Sequence, residues 1–217
     1  MKEAYIIDGI RTPIGNYKGT LSTIRTDDLG ALVISEIVKR NSEIPKDAFD
    51  DIIMGCANQA GEDNRNVARM SSLLAGMPFT VPGETVNRLC SSGLSAIIHA
   101  NRAIKAGDGD LFIAGGVENM SAMPLIYGED MTNFFMHLMR AKTPQDKLKV
   151  LSTFRLPHLS PVIAIEQGLT DPFCGMNMGM TAEKLAREFG ISREMQDMYA
   201  NDSHRKTVAA MEGGRFM

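Results

Sequence analysis

Short apolar runs alternate with segments of helical periodicity through the first half of this sequence, and this alternation limits the possible folds most strongly. The apolar runs predict strands at residues 4–7, 51–55, 82–86 and 110–114. The segments between them predict a helix capped by Thr26, a second helix over residues 64–75, and a third from Cys90 to about residue 106. Because such alternation is typical of parallel sheets covered by helices on both faces, we expect an α/β fold with a mainly parallel, mixed sheet.

A cysteine lies where the third predicted strand ends and the third helix begins. The sequence there is Asn87-Arg88-Leu89-Cys90-Ser91-Ser92-Gly93. The free amide groups and the positive dipole end of a helix N-terminus favour an anion, so this position favours a thiolate over a thiol. A thiolate is the nucleophile of acyl-transfer chemistry. A small buried cysteine without reactivity is the alternative that this junction alone leaves open.

Composition excludes several broad classes of protein. The chain has 217 residues, of which 44% are hydrophobic, which is enough for a packed core. Its net charge of -3 argues against a nucleic-acid partner. Three cysteines form no closed disulfide set and show no metal-ligand spacing, so we expect a cytoplasmic protein without a metal site. The sequence shows neither a secretory signal nor an apolar run long enough to span a membrane.

The composition changes after Met120, where methionines, prolines and basic residues become frequent. We therefore predict an α/β domain over residues 1–120 and a mostly helical domain over residues 121–217. Within the second, residues 134–156 combine apolar and aromatic side chains with a cluster of lysines and arginines. Such a basic amphipathic segment can bind an anionic membrane or a protein partner, or it can be a solvated helix that covers a neighbouring pocket.

Several motifs together resemble the thiolase family. They are the stretch around Cys90, the run Ala-Gly-Gly-Val-Glu-Asn-Met-Ser at residues 114–121, the opening at residues 10–15, and residues 190–197. The resemblance implies that Cys90 accepts an acyl group from a coenzyme A thioester. It also implies that residues 168–179 line the coenzyme A channel and that Met178 lies beside the pantetheine arm, although a place in a helix core is the alternative for Met178. Coenzyme A and acetyl-CoA are then substrates, and no cofactor is bound covalently.

The acid–base motifs of thiolases are missing from this sequence. It contains neither Gly-His-Pro nor Cys-Xaa-Gly-Gly-Gly, and its four histidines lie in other contexts. Asn177 stands where many biosynthetic thiolases have histidine, so histidine-dependent contacts are not transferred. Glu118 and Asn119 could serve the site or could anchor a loop. The resemblance therefore implies a thiolase N-terminal half with an incomplete helical loop domain and no C-terminal half.

Within and just after this segment, residues 141–144, 154–156 and 159–161 resemble the insertion found in thiolases of fatty-acid β-oxidation complexes. That resemblance favours the degradative direction and a membrane or β-oxidation partner. We expect thiolytic cleavage of 3-ketoacyl-CoA, or the reverse condensation, through an acyl-cysteine, with no turnover by this chain alone. We also expect a homo-oligomer or association with the missing half. The alternatives are a non-catalytic coenzyme A-binding or assembly subunit and, less favoured because a base is missing, a cysteine hydrolase.

Overall fold

Strands and helices alternate through the first 116 residues of the computed structural model, which describes residues 2–59 and 65–216. The helices are α1 (Thr26–Arg40), α2 (Val67–Leu74), α3 (Ser92–Ala106), α4 (Glu129–Arg140), α5 (Pro144–Leu151), α6 (Ala164–Leu169), α7 (Met178–Glu188) and α8 (Arg193–Glu212). The strands are β1 (Asp51–Gly55), β2 (Gly83–Val86), β3 (Phe112–Gly116), β4 (Leu125–Tyr127), β5 (Pro161–Ile163), β6 (Thr170–Asp171) and β7 (Met176–Asn177). Two compact units are present, Met1–Val162 and Ile163–Met217. The domain boundary near Ser121 stays a prediction.

A three-stranded parallel sheet forms the centre of the first unit. β1 pairs with β2 on one side and with β3 on the other, and both pairings are parallel. Gly55, the last residue of β1, is opposite Val86 of β2 and Gly116 of β3. Because the three strands end at this register, the segments that follow them leave the same edge of the sheet. The predicted α/β fold with a mainly parallel sheet is confirmed.

Apolar residues on the two faces of the sheet belong to two separate core clusters. Ile52 and Met54 of β1 belong to one cluster with Ile34 and Val38 of α1 and Ala68 of α2. The side chain of Ile53 lies on the opposite face of the sheet, where it packs with Ala96 and Ala100 of α3 and with Val86. This alternation is the period-2 pattern of a strand buried on both faces. Helices therefore cover the sheet on both sides, as the sequence predicts.

The first helix begins at Thr26 itself, whereas a helix capped by Thr26 would begin at Asp27. Thr26 is the first helical residue, and Arg25 occupies the N-cap position without a capping side chain. The carboxylate of Asp27 takes over the capping role, since it accepts the amide of Asp28 at 3.1 Å and binds the Arg25 guanidinium at 2.7 and 2.9 Å. The capping prediction for Thr26 is wrong because a first-turn carboxylate replaces the hydroxyl.

The predicted strand at residues 4–7 is also wrong. Tyr5, Ile6 and Ile7 are exposed by 76%, 84% and 73%, and no strand is assigned there. This segment and β3 both line a cavity of about 970 Å³, and their backbones form no ladder within the described residues. An apolar run becomes a strand only where a neighbouring backbone supplies hydrogen-bond partners.

Two other predicted elements are shifted. β3 begins two residues later than predicted, because Asp50 Oδ2 accepts the amides of Asp110 and Leu111 at 2.7 and 3.0 Å and diverts them from the ladder. α2 begins at Val67, after an N-cap at Asn66 whose side chain accepts the amide of Arg69. The predicted start of α2 at residue 64 lies outside the described residues.

The amphipathic segment at residues 134–156 is divided between α4 and α5. Phe134 of α4 lies 5.4 Å from Phe154 and 5.8 Å from His158, measured between ring centroids. These aromatic side chains contact one another, while Leu148 of α5 is 70% exposed. Within the described residues, no helix has both the length and the apolar character that crossing a membrane requires.

The second unit consists mainly of helices. Its strands β6 and β7 form a short antiparallel pair directly before α7. Asn177 caps α7 by accepting the amide of Met180 at 2.9 Å. The predicted cap of α8 is confirmed, since the Ser192 hydroxyl accepts the amide of Met195 at 3.3 Å.

Candidate active site

Cys90 lies in the turn between β2 and α3. It directly precedes Ser91, the N-cap of α3, and its side chain is exposed. The helix itself begins at Ser92, so Cys90 stands two residues ahead of the first helical residue. The sequence-predicted cysteine is therefore accessible and adjacent to the first turn of a 15-residue helix.

The residue before Cys90 has an unusual backbone conformation. Leu89 has a φ of +48°, in the left-handed region that a leucine seldom adopts. Its amide donates to Asn87 Oδ1 at 2.9 Å, which holds the turn from one side. Strain of this kind persists only where surrounding contacts determine the conformation, and it is concentrated at functional sites.

Ser92 holds the same turn from the other side. Its buried hydroxyl accepts the amide of Arg88 at 2.8 Å and donates to the carbonyl of Leu89 at 2.6 Å. The backbone adds two further bonds, from Ser91 to Arg88 and from Ser92 to Leu89, both at 3.0 Å. The turn that carries Cys90 is thus fixed by two side chains as well as by its own backbone.

Glycines allow α3 to approach the ends of the strands. A Cβ on Gly55 would lie 2.2 Å from the carbonyl carbon of Ser92, and one on Gly116 would lie 3.2 Å from Cα of Gly93. Any larger residue at Gly55 would push the first turn of α3 away from the sheet. The absence of a side chain at Gly55 therefore determines how closely the first turn of α3, next to Cys90, approaches the end of β1.

Glu118 anchors the loop that follows β1. Its carboxylate accepts the amides of Ala57 and Asn58 at 2.8 and 3.1 Å, and Asn87 Nδ2 donates to the carbonyl of Ala57 at 2.9 Å. Asn119 anchors a different loop, because its side-chain amide donates to the carbonyl of Ile24 at 2.8 Å. For both residues the structure shows the loop-anchoring contacts that were one of the two roles left open by the sequence.

The other two cysteines have contrasting environments. Cys56 is 1% exposed, and its thiol lies 3.8 Å from Glu118 Oε1. Cys174 is exposed in the turn between β6 and β7 of the second unit. Burial of Cys56 agrees with the structural role predicted for it.

Two of the histidines have contacts with residues other than Cys90. His99 of α3 has its Nδ1 3.7 Å from Glu84 Oε1, and His158 packs against Phe134 and Phe154. His137 lies on α4 and His204 on α8. Among the described residues, no group of three or more histidines, cysteines and carboxylates is arranged to hold a metal ion.

Met178, predicted to contact coenzyme A, is the first residue of α7 in the second unit. Its side chain is 48% exposed, so it is not part of a closed helix core. The preceding Asn177 uses its side-chain oxygen to cap α7. The assignments of Cys90 to catalysis and of Met178 to coenzyme A binding stay predictions.

Comparison with known proteins decides the family. The sequence model for the thiolase N-terminal domain matches residues 4–217. This chain belongs to the thiolase family. The family resemblance inferred from the motifs around Cys90 and residues 114–121 is therefore confirmed.

Individual thiolases resemble the chain over nearly its whole length. A 3-oxoadipyl-CoA/3-oxo-5,6-dehydrosuberyl-CoA thiolase of Escherichia coli K12 is 49% identical over 99% of this chain and 50% of its own length. A β-ketoadipyl-CoA thiolase of Acinetobacter baylyi is 47% identical over 100% of this chain and 50% of its own. A 3-ketoacyl-CoA thiolase of Idiomarina loihiensis is 40% identical, with 100% and 48% covered. The chain spans about half the length of the curated relatives it matches.

Solved thiolase structures share the fold. An acetyl-CoA acetyltransferase of Bacillus anthracis superposes with a TM-score of 0.78 at 34% identity, over 95% of this chain and 47% of the other. An Ascaris suum thiolase in complex with coenzyme A gives a TM-score of 0.81 at 31% identity, over 99% and 50% of the two chains. The thiolase fold of this chain is thus shown by structure as well as by sequence.

Near Cys90, the sequence did not reveal the turn-holding contacts of Asn87 and Ser92, nor which loop Glu118 anchors. Asn87 and Ser92 belong to the motif around Cys90, but their side chains carried no separate signal of a role in the turn. Glu118 reaches residues 57 and 58 across a gap of 60 or more positions in the chain. Such a contact depends on the pairing of β1 with β3 and cannot be found from local patterns.

Proposed function

We propose that this chain carries the acyl-accepting half of a thiolase-type acyltransferase, with Cys90 as the nucleophile. The observation that carries this proposal is the exposed Cys90 in a strained turn directly ahead of α3, in a chain that belongs to the thiolase family. Coenzyme A thioesters are the proposed substrates. The amides of the first turn of α3 favour an anion close to this position.

The proposed reaction has two covalent steps. The Cys90 thiolate attacks the 3-keto carbon of a 3-ketoacyl-CoA, the bond between C2 and C3 breaks, and the departing acetyl-CoA carbanion takes up a proton. The shortened acyl group remains on Sγ as a thioester. The thiolate of a second coenzyme A then attacks this thioester, and Cys90 leaves as a thiolate. The backbone amide of Cys90 is proposed to donate to the oxyanion that develops in each step.

The proton donor and the base for this cycle are proposed to come from outside these 217 residues. Two of the four histidines support this view through their contacts, since His99 lies beside Glu84 and His158 packs against aromatic rings. We therefore expect acylation of Cys90 without sustained turnover when this chain is alone. Association with the remainder of a thiolase would restore the cycle.

The second unit is proposed to supply part of the coenzyme A site. Met178 starts α7 and is half exposed, which suits contact with the apolar part of a pantetheine arm. Residues 168–179 contain the β6–β7 pair and its turn, where Phe173 is 98% exposed. An exposed apolar rim of this kind fits a channel for a thioester arm.

Two lines of support point to different acyl groups for the same reaction. Relatives named β-ketoadipyl-CoA thiolase, up to 49% identical, favour a short acyl group that ends in a carboxylate. The resemblance of residues 141–144, 154–156 and 159–161 to a β-oxidation insertion favours a fatty acyl group and a membrane or dehydrogenase partner. We propose the degradative direction for either acyl group. Comparing the rates at which 3-oxoadipyl-CoA and a long-chain 3-ketoacyl-CoA acylate Cys90 distinguishes the two acyl groups.

A non-catalytic coenzyme A-binding or assembly subunit is the second candidate function. The observation that favours it is the absence from the sequence of the Gly-His-Pro and Cys-Xaa-Gly-Gly-Gly motifs. Such a subunit would bind acetyl-CoA without forming a covalent adduct. The two candidate functions therefore differ in whether the Cys90 Sγ atom becomes acylated.

Trapping an adduct tests the main proposal. The chain is incubated with acetyl-CoA, digested at acidic pH and examined by mass spectrometry for acetyl groups on Cys90 and Cys174. Because both are exposed, Cys174 is the matched control, whereas the burial of Cys56 would slow its reaction in any case. Acetylation confined to Cys90 supports the proposal. Equal labelling of Cys90 and Cys174, or none at Cys90, would leave the binding subunit.

A further inference from the structure

A continuous series of hydrogen bonds runs from Glu118 to the residue beside Cys90. The carboxylate of Glu118 accepts the amide of Ala57, the carbonyl of Ala57 accepts Asn87 Nδ2, and Asn87 Oδ1 accepts the amide of Leu89. The three distances are 2.8, 2.9 and 2.9 Å. The series joins three segments that leave the same edge of the sheet, after β1, β2 and β3.

We propose that Glu118 is a positioning residue for Cys90, acting through the loop after β1 and through Asn87. This inference rests on the proposed function of Cys90. Glu118 stabilises the loop at residues 56–58 by accepting two amides with a charged oxygen pair, and charged acceptors make the stronger hydrogen bonds. The fixed loop presents the carbonyl of Ala57 to Asn87.

Asn87 connects the anchored loop to the backbone of Leu89. Its amide nitrogen is held by Ala57, which orients the side-chain oxygen toward the amide of Leu89. Leu89 is the strained residue of the turn, and a strained φ of +48° needs such external support. Without the series, the turn relaxes and Cys90 moves away from the first-turn amides of α3.

A matched control lies at the opposite end of the same strands. Asp50, which directly precedes β1, also accepts two backbone amides with its carboxylate, those of Asp110 and Leu111 at 2.7 and 3.0 Å. It fixes the start of β3 in the way that Glu118 fixes the loop after β1. Replacement of Asp50 by asparagine therefore weakens a contact of the same kind, by removing the charge of the acceptor, without touching the turn at Cys90.

The test measures the rate of iodoacetamide alkylation at each cysteine of the 217-residue chain by mass spectrometry. The ratio of the Cys90 rate to the Cys174 rate reports the turn, and labelling of buried Cys56 reports general opening. For Glu118→Gln and for Asn87→Ala we expect this ratio to fall about three- to tenfold, a range of the size that loss of one hydrogen bond gives. Asn87→Ala removes both hydrogen bonds of the Asn87 side chain and adds no charge that would itself disfavour a thiolate at Cys90. Asp50→Asn should leave the ratio within about twofold.

Combining the variants separates a connected series from independent effects. Because Glu118 and Asn87 act through the same contact, the double variant should lower the ratio no further than the stronger single variant. An unchanged ratio in both single variants, a multiplied effect in the double variant, or an equal loss in Asp50→Asn would overturn the proposal. If Cys56 in Glu118→Gln reacts at the rate measured for the unfolded chain, the result for Asn87→Ala decides in its place. Failure of wild-type Cys90 to accept an acetyl group would refute the proposed function, while the alkylation ratio still judges the positioning role.

Discussion

Leu89 adopts a left-handed φ of +48°, which costs a leucine about 1–2 kcal/mol. Its side chain is 66% exposed, so little packing is lost when it is removed. We expect Leu89→Gly to raise the free energy of unfolding by up to about 1 kcal/mol, because glycine adopts this conformation without strain. The same change should slow acetylation of Cys90, since a glycine also frees the turn to leave its bound geometry. Urea denaturation and the rate of adduct formation measure the two effects.

Lys18 supplies the control for Leu89→Gly, because it is the other non-glycine residue with a positive φ, +56°, in the described part of the chain. Lys18→Gly relieves the same kind of strain in a loop that is bonded to Ser121, although it also removes the bond from Lys18 Nζ to the Ser121 carbonyl. Acetylation of Cys90 should not change in this variant. Equal slowing in both variants, or a loss of stability in Leu89→Gly, would contradict the assignment of strain to the Cys90 turn.

At the scale of elements, the packing of α3 on β1 requires a glycine at position 55. A Cβ on Gly55 would meet the backbone of Ser92 at 2.2 Å, and backbone cannot rotate away as a flexible side chain can. We expect Gly55→Ala to lower the free energy of unfolding by about 3 kcal/mol, as overpacking does in a close-packed core. Thermal unfolding followed by circular dichroism measures this change.

Gly93 is the matched control for Gly55, because it lies on the other side of the same contact. A Cβ there would have its nearest neighbours at 4.0 Å, which is an ordinary van der Waals distance. Since Gly93 is in the first turn of α3, Gly93→Ala should be neutral or should stabilise the chain by up to about 1 kcal/mol. Similar losses in both alanine variants would refute the close approach of α3 to β1.

The start of α1 gives a pH-dependent contribution to stability. Hydrogen bonds from the Arg25 guanidinium hold the pKa of Asp27 below its ordinary value, despite the burial that opposes ionisation. A lowered folded pKa means that the carboxylate stabilises the fold above its unfolded pKa of about 3.9, and that this contribution is lost as the pH falls through the folded value. Asp27→Asn should therefore cost about 1 kcal/mol at pH 7 and progressively less below pH 4.

Urea unfolding at pH 7 and pH 3 measures this prediction for Asp27. Asp28→Asn is the control on the same helical turn, since Asp28 is exposed and contributes chiefly through the helix dipole, about 0.5 kcal/mol. A cost for Asp27→Asn that stays constant between the two pH values would show that the charge of Asp27 is not the stabilising feature.

Local sequence patterns predicted the elements that periodicity along the chain defines. β1 and α3 were predictable because strand periodicity and helix periodicity change clearly around Gly55 and Cys90. The N-terminal run at residues 4–7 has the composition of a strand, but composition does not supply a neighbouring backbone, and the prediction failed there. Cys90 could be found from sequence, whereas the contact of Glu118 with Ala57 spans 61 positions and required the sheet.

At the scale of the whole molecule, one continuous stretch of exposed apolar side chains is the N-terminal segment, which lines the cavity in the first unit. Tyr5, Ile6, Ile7 and Ile14 are exposed by 73–89%, and residues 4–17 line the cavity of about 970 Å³ beside β3. Exposed apolar groups that are contiguous mark interaction surfaces, whereas single ones are common on any protein. This distribution supports association of the chain with a partner surface, either a second copy or the remainder of a thiolase.

The last prediction follows from that surface. We expect the chain alone to self-associate at micromolar concentrations in sedimentation velocity, and we expect Ile6→Glu combined with Ile14→Glu to shift it toward monomer, because charges oppose burial of the surface. Phe173→Glu is the control, since Phe173 is 98% exposed in the second unit, away from residues 4–17 in the sequence. The control should sediment like the unaltered chain. A wild-type chain that remains monomeric and thermally stable across the concentration range would show that residues 4–17 are not an association surface.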